Sequence, residues 1–316
     1  MTDPAAGLLD AALEKRSQIR LTETDAMRLV NDEADGFAGL TADRLSRAVL
    51  VEAHRQEADA EPLIRALRAR LGDSTPIFFK ERWSRERNGR SGRQVAGRVC
   101  YPELAVLEEG IRYWVRLTDD EHIGLFLDSR PARQRVRALS LGKRVLNLFS
   151  YNGAFGVCAA KGGARSTTNI DNKRSAVARA ERNYRLNGLD WDTRTFLRAD
   201  VFQFLRRSLK GKGRFDVVVL DPPPSAKGAG GRRFRVETGY VGLATKCLKL
   251  LAPGGVLLAG INGSRVSDAM FEDMIFQAAT VAGRAVEIAE HIGPGEDFSE
   301  CRHRPVASFF LMVAQN

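Results

Sequence analysis

Acids and amides recur in this chain at one kind of place, where a short apolar run gives way to a helical stretch. Asn147 lies in the run Val145–Phe149, Asp171 closes Ser166–Asp171, Asp200 follows a run near Phe196–Leu197, and Asp221 follows Phe215–Leu220. Where strands alternate with helices, ligands bind beyond the carboxyl ends of the strands, so these positions are where binding chemistry is expected. The first run continues into NLFSYNGAFG (Asn147–Gly156). Glycine here lets the backbone approach a ligand, and the following helix N-terminus offers N–H groups. The same loop also reads as a tight turn. Gly153 and Gly156 supply only half of a GxGxxG pattern, which disfavours a nicotinamide or flavin cofactor. Asp171 can accept hydrogen bonds from both ribose hydroxyls of an adenosine, or cap the next helix. Asp200 can accept from an adenine amine, with Val201 and Phe202 packing on the ring, or serve as an N-cap. After Asp221 comes PPPS (Pro222–Ser225), where prolines fix φ and remove donors. That leaves a rigid, acceptor-rich edge suited to a flat ligand.

The elements that must hold these residues follow from the apolar pattern. From about Lys143 onward, strands at Val145–Phe149, Ser166–Asp171, Phe215–Leu220 and Gly255–Ile261 alternate with helices at Ala154–Lys161, Arg174–Asn187, Val201–Leu209 and Val236–Leu251. Such alternation predicts a parallel sheet wound on both faces. Two further strands, Ala285–Ile292 and Ala307–Val313, are joined by a loop, so the last is expected to run antiparallel. The first third reads as mixed α/β. It has strands at Ala48–Ala53, Pro76–Phe79 and Ile111–Leu117, and a helix at Glu61–Leu71 with Leu63, Ile64, Leu67 and Leu71 at helical spacing.

Composition bounds the partners. The 316 residues suffice for about two domains. Lys and Arg number 49 against 39 Asp and Glu, a net charge of +10 that favours a polyanion. The arrangement sharpens this. Between Lys80 and Arg98 stand seven basic residues (Lys80, Arg82, Arg85, Arg87, Arg90, Arg93, Arg98) and two acids, with Trp83 interleaved. A second basic knot, Arg232, Arg233 and Arg235 with Lys227 upstream, lies in a Gly-rich stretch. Cys100, Cys158, Cys247 and Cys301 form no CxxC pair, so neither a zinc site nor a disulfide framework is expected, and metal is not expected. No apolar stretch reaches membrane-spanning length, and the N-terminus lacks a secretory h-region, which together suggest a cytoplasmic protein.

Taken together, NLFSYNGAFGVCAAKGGARSTTNID, ARAERNYRLNGL, HIGLFLDSRPARQRV (His122–Val136) and EDFSECRHR resemble the ribosomal-RNA large-subunit methyltransferases. That family includes a cytosine-C5 enzyme and the guanine-N7 half of a bifunctional enzyme, and the resemblance is strongest to the guanine-N7 type. It spans about Glu33 to Val313. It implies a Rossmann-like class I methyltransferase sheet, mostly parallel with its last strand antiparallel, preceded by a smaller α/β domain. Residues 1–20 would be a lead-in or short helix, and 21–117 the small domain with RNA contacts. Residues 118–316 would be the catalytic domain, binding S-adenosyl-L-methionine (SAM). The lead-in leaves no room for the RNA-binding module some members carry. The resemblance also implies site roles. Phe126, Asp128 and Arg130 would enclose the cofactor, and Asn147, Ser150, Tyr151, Asn152 and Gly153 would line its methionine end. Asp171 with Asn172 would hold the ribose, Asp200 with Val201 the adenine, and Asp221 and Pro222 would border the reaction centre. The partner would be RNA, 23S rRNA in particular, and the enzyme a monomer or homodimer.

One departure bears on the chemistry. The cytosine-C5 enzymes carry a cysteine after the fifth strand, where this chain reads Ala259-Gly260-Ile261-Asn262-Gly263-Ser264. Carbon 5 of cytosine needs thiolate addition before it can attack a methyl group. Guanine N7 already presents a lone pair. A nitrogen target is therefore expected, with the base on aromatics such as Tyr151 or Phe155 and held by Asn262. Two alternatives stand beside it: cytosine-C5 methylation with Cys301, flanked by Arg302, His303 and Arg304, as a relocated nucleophile, and a SAM-binding RNA-binding protein without catalysis.

Overall fold

The structure is a computed structural model that describes residues 3–84, 91–119, 122–192, 195–211, 213–227, 233–262, 266–298 and 307–315. The chain divides into two compact units, Met1–Leu127 with Gly295–His303, and Asp128–Pro294 with Arg304–Asn316.

The first unit begins with helix α1 (Pro4–Ser17), whose N-cap Asp3 accepts from the Ala5 amide, with proline in the first turn where no donor is missed. Strands β1 (Ala26–Asn31), β2 (Leu40–Leu45), β3 (Ala48–Ala53), β4 (Ile77–Glu81) and β5 (Arg93–Ala96) form one sheet in that order. β3 and β4 run parallel and the other neighbours antiparallel. A parallel pair needs a crossover, and helix α2 (Glu61–Leu71) supplies it, burying Leu63, Ile64 and Leu67. β6 (Glu103–Glu108) and β7 (Ile111–Arg116) make a separate antiparallel ladder. The core is crossed by charge. Arg16 and Asp35 are both buried and meet at 2.6 Å, and Arg16 also donates to the Asp297 carbonyl. Burial pushes the Asp35 carboxyl up, but hydrogen bonds from Arg16, the Asn31 amide and Lys15 outweigh it and hold the pKa below the ordinary carboxylate value.

The second unit opens with α3 (Arg130–Leu139), then alternates β8 (Arg144–Leu148), α4 (Ala154–Lys161), β9 (Ser166–Asp171), α5 (Arg174–Leu186), β10 (Phe196–Arg198), α6 (Val201–Ser208) and β11 (Phe215–Leu220). A short ladder of β12 (Ser225–Lys227) and β13 (Arg233–Arg235) follows. Then come α7 (Val236–Leu250), β14 (Leu251–Ile261), α8 (Asp268–Ala282), β15 (Val286–Ile292) and β16 (Ser308–Ala314). The seven-stranded sheet has order β10-β9-β8-β11-β14-β16-β15. β16 runs antiparallel to both of its neighbours and the remaining pairs are parallel, the Rossmann-like methyltransferase arrangement expected from the sequence. The chain walks outward from β8 to β10, returns to β11 on the other side of β8, and so reverses direction between β8 and β11. In open α/β sheets, that switch point is where ligands bind.

Removing Arg16 leaves the buried Asp35 carboxylate with the exposed Lys15 as its remaining ionic partner. Arg16→Met is expected to lower unfolding free energy by about 3–5 kcal/mol, measured by urea denaturation.

Candidate functional site

Strand register brings Asp171 and Asp221, two of the four expected positions, into one row. Leu197 stands opposite Ile170, Ile170 opposite Leu148, Leu148 opposite Leu220, and Leu220 opposite Ala259. Asp171, Phe149, Asp221 and Gly260 are each one residue further on, so four strand ends finish side by side. Asn147 lies two positions before Phe149, inside β8. Its amide donates to Asn169 Oδ1 (2.9 Å), and Asn169 in turn donates to the Tyr184 hydroxyl and the Thr195 carbonyl. The Asn147 side chain therefore lies in a buried polar network beneath the row.

The loop after β8 is wound through left-handed backbone at Phe149 (φ 56), Tyr151 (φ 49) and Gly153 (φ 72). Such conformations are costly for residues with a Cβ and persist where the surroundings impose them. Two bonds to β9 hold this one, the Ser150 amide donating to the Ile170 carbonyl (2.9 Å) and the Tyr151 amide to the Asp171 carboxylate (3.0 Å), while the other Asp171 oxygen accepts from the Lys173 amide (2.9 Å). Gly153 suits its place because a Cβ there would stand 2.7 Å from that of Ala180. Between the strained residues, Ser150 Oγ is buried with no hydrogen-bond partner among the described residues, a polar atom placed where a ligand can satisfy it. Asn152 is buried, its side-chain oxygen accepting from the Ala154 amide and its carbonyl from Asn183. Tyr151 is half-buried, its hydroxyl accepting from Arg179 (3.3 Å).

Asp200 is the N-cap of α6, accepting from the Gln203 amide (2.9 Å), and Val201 is buried in the core. Asn172 is exposed, and its carbonyl accepts from Arg198. Pro222 is buried, while Pro223 and Pro224 are exposed. Asn262 follows β14, half-buried. Asp221 is the most perturbed acid of the row. Burial pushes its carboxyl pKa up to about 7, the Asp128 carboxylate adds to the rise, and the Arg133 guanidinium offsets part of it. Asp128 also accepts from the Ala307 amide (3.1 Å). Arg130 and Arg133 are both buried on α3. Phe126 falls in the first unit, its ring centroid 4.7 Å from that of His122.

Two expectations are corrected. Phe155 is buried against Phe309 (5.8 Å) and offers no face to a base. Lys80 is wholly buried on β4, so its ammonium has no surface to offer phosphate. Arg82, Arg93 and Arg98 remain at or near the surface, Arg93 stacked over Phe79 (5.1 Å), and Arg233 and Arg235 are exposed. Arg85, Arg87, Arg90, Arg232, Cys301, Arg302, His303 and Arg304 lie outside the described residues. Sequence reasoning missed Arg133 and Phe234. The only trace of Arg133 is its three-residue spacing from Arg130. Phe234 is a lone aromatic among arginines, between Arg233 and Arg235.

Among the described residues, no helix is long and apolar enough to cross a membrane, and no group of three or more His, Cys, Asp and Glu gathers to hold a metal ion.

Comparison with known proteins agrees with this geometry. Residues 37–301 match the family described as S-adenosylmethionine-dependent methyltransferase. The chain is 35% identical over 292 residues to a ribosomal RNA large subunit methyltransferase of Deinococcus radiodurans, covering 88% of this chain and 71% of that protein. With ribosomal RNA large subunit methyltransferase I of Aeromonas salmonicida the identity is 33% over 274 residues, 85% of this chain and 69% of that one. Among solved structures, SMU.776 complexed with SAH superimposes with a TM-score of 0.88 at 26% identity, covering 98% of this chain and 80% of that one.

The raised pKa of Asp221 carries a stability consequence. The folded state holds the proton more tightly than the unfolded chain. The stabilisation is therefore full below about pH 4 and is lost as pH rises toward about 7. Asp221→Asn removes that loss. In the absence of cofactor, its advantage over the natural protein is expected to grow between pH 5 and pH 8, by on the order of 2 kcal/mol. Melting curves at the two pH values measure it; a constant difference would contradict the assignment.

Proposed function

The chain belongs to the S-adenosylmethionine-dependent methyltransferase family, and from that premise we propose that it methylates a guanine at N7 in 23S rRNA without a covalent enzyme intermediate. The cofactor supplies a methyl group on a sulfonium. In the proposed reaction the N7 lone pair forms the new N–C bond as the S–C bond breaks, leaving a cationic base and a neutral thioether.

The observation that carries the choice of a nitrogen is the end of β14. It reads Ala259-Gly260-Ile261-Asn262 beside Asp221, and a Cβ at Gly260 would come within 3.0 Å of the Asp221 carboxyl. Among the described residues, no thiol stands in this row. Cys158 and Cys247 are buried in α4 and α7, and burial pushes the Cys247 thiol well up, away from a reactive thiolate. Without a thiolate, carbon 5 of cytosine stays unactivated. A nitrogen lone pair needs only alignment, and alignment supplies roughly 7–11 kcal/mol in favourable cases. In its ionised form the Asp221 carboxylate stabilises the positive charge that develops on the base, and Asn262 and Pro222 border the same place.

The cofactor assignments follow the row. Asp171 uses both oxygens on backbone amides, and each retains lone-pair capacity for ribose hydroxyls. Ser150, Tyr151, Asn152 and Gly153 line the methionine end, with Asn147 supporting that loop from below. Asp200 and Val201 border the adenine and Asn172 lies beside the ribose, while Asp128 and Arg130 contribute to enclosure. RNA as substrate is supported by the names of the relatives, by the net charge of +10, and by Arg82, Arg93, Arg98, Arg233 and Arg235.

Three outcomes test the reading. Nucleoside mass spectrometry of 23S rRNA incubated with the enzyme and labelled cofactor should show 7-methylguanosine. 5-Methylcytidine that disappears in Cys301→Ser would establish the cytosine-C5 alternative, and no incorporation the non-catalytic one. Asp171→Ala should weaken cofactor binding about 10-fold or more, read by calorimetry with SAH, because the bond to the Tyr151 turn is lost with the ribose acceptor. Replacing Arg82, Arg93 and Arg98 together with serine should weaken RNA binding and flatten its salt dependence by roughly 0.7–0.9 per lost phosphate contact. An unchanged slope would remove those arginines from the RNA surface.

A further inference from the structure

The chain leaves the proline edge through an antiparallel ladder, β12 against β13, with Ser225 opposite Arg235 and Ala226 opposite Phe234. It returns to where it left, the Val236 amide donating to the Pro224 carbonyl (3.1 Å). The two-residue period of a strand puts Arg233 and Arg235 on the exposed side and turns Phe234 inward, 5% exposed. Inward means against the site. The Phe234 ring lies 6.5 Å from that of Phe149, nearly parallel at 24°, and 5.5 Å from that of Phe202, while Phe149 and Phe202 meet edge-on at 6.1 Å.

Each partner belongs to a strand end already described. Phe149 is the left-handed residue just before the unsatisfied Ser150 hydroxyl, and Phe202 is two residues beyond Asp200 on α6. From below, α7 brings bare backbone to the ring: a Cβ at Gly239 would stand 2.6 Å from it. One ring thus joins the loop after β8, the start of α6 and the segment leaving the Asp221–Pro224 edge. The strand carrying it presents two guanidinium groups on its other side.

We infer that Phe234 is a positioning residue coupling RNA phosphate binding at Arg233 and Arg235 to cofactor binding at the loop after β8, through its ring contacts with Phe149 and Phe202. The inference rests on RNA being the substrate. Phosphates held by the two arginines restrain β13, β13 fixes Phe234, and Phe234 steadies Phe149 and with it the left-handed turn that aims Ser150. Coupling of this kind is reciprocal, so RNA tightens the cofactor by the factor that the cofactor tightens RNA.

Equilibrium dialysis with labelled SAH, with and without saturating unmodified 23S rRNA transcript, reads the coupling directly. In the natural protein the transcript should tighten SAH by about 5-fold or more. In Phe234→Leu the factor should fall below about 2-fold while the transcript still binds, and Phe234→Tyr, which keeps the ring, should restore it. The surface variant Arg233→Ser/Arg235→Ser leaves the buried ring in place and should lose the coupling as well. Coupling that persists undiminished in either the leucine or the double serine variant would overturn the inference. A natural protein that binds the transcript without tightening SAH would also overturn it, with the proposed function intact. Failure of the natural protein to bind or methylate the transcript would instead remove the proposed function.

Discussion

Asn147 hands its side-chain amide to Asn169 across the β8–β9 pair, and both side chains are buried. Neither can fall back on water. A slip of one residue between β8 and β9 would turn each side chain to the opposite face of the sheet and strand two amides without partners. The bond therefore fixes register at the centre of the sheet, and register is what makes Phe149, Asp171, Asp221 and Gly260 finish in one row. Asn169 extends the restraint to Tyr184, whose hydroxyl also meets Thr167 and whose burial pushes its pKa up to about 12. The network is neutral and stays so across the physiological range.

Above this pinned floor, the site concentrates groups that a structure selected for stability alone would avoid. Two non-glycine residues take left-handed backbone, a serine hydroxyl is buried without a partner, and a carboxyl is enclosed beside a second acid. Each costs on the order of 1–3 kcal/mol when no ligand compensates it. Their common location is informative because, within the second unit, all sit within three residues of the ends of β8 and β11, at the sheet's switch point. A sulfonium cofactor with a ribose suits that combination: acceptors for hydroxyls, a fixed turn of amides, and a carboxylate facing positive charge. The same features leave the cofactor-free protein less stable than its fold permits, so cofactor binding and folding stability are linked.

Much of this was legible in the residue pattern, for a physical reason. The parallel strands are buried on both faces, so they read as short apolar runs such as VVVL (Val217–Leu220), and their ends stand out where polar residues follow. The antiparallel last strand was legible because the residues between Ile292 and Ala307 read as a loop rather than a crossover helix. What escaped were elements whose burial is not apolar. α3 has only Ala132 and Val136 as apolar buried positions and buries Arg130 and Arg133 beside them, which defeats a hydrophobic period. Lys80 misled the charge count for the same reason, since a strand position can bury a lysine that composition places at the surface. β12 and β13 are three residues each, too short for any period to show, and only Phe234 betrays the inward side. Asp200 takes the capping one of its two readings, holding the start of α6.

The central claim is that these strand ends form one cofactor cleft, and an experimental structure of the protein with SAH tests it most directly. The account predicts the ribose hydroxyls within about 3.2 Å of the Asp171 carboxylate, and the sulfur facing Asp221 and the Pro222 edge. SAH bound away from this row, or a row packed shut against it, would contradict the account.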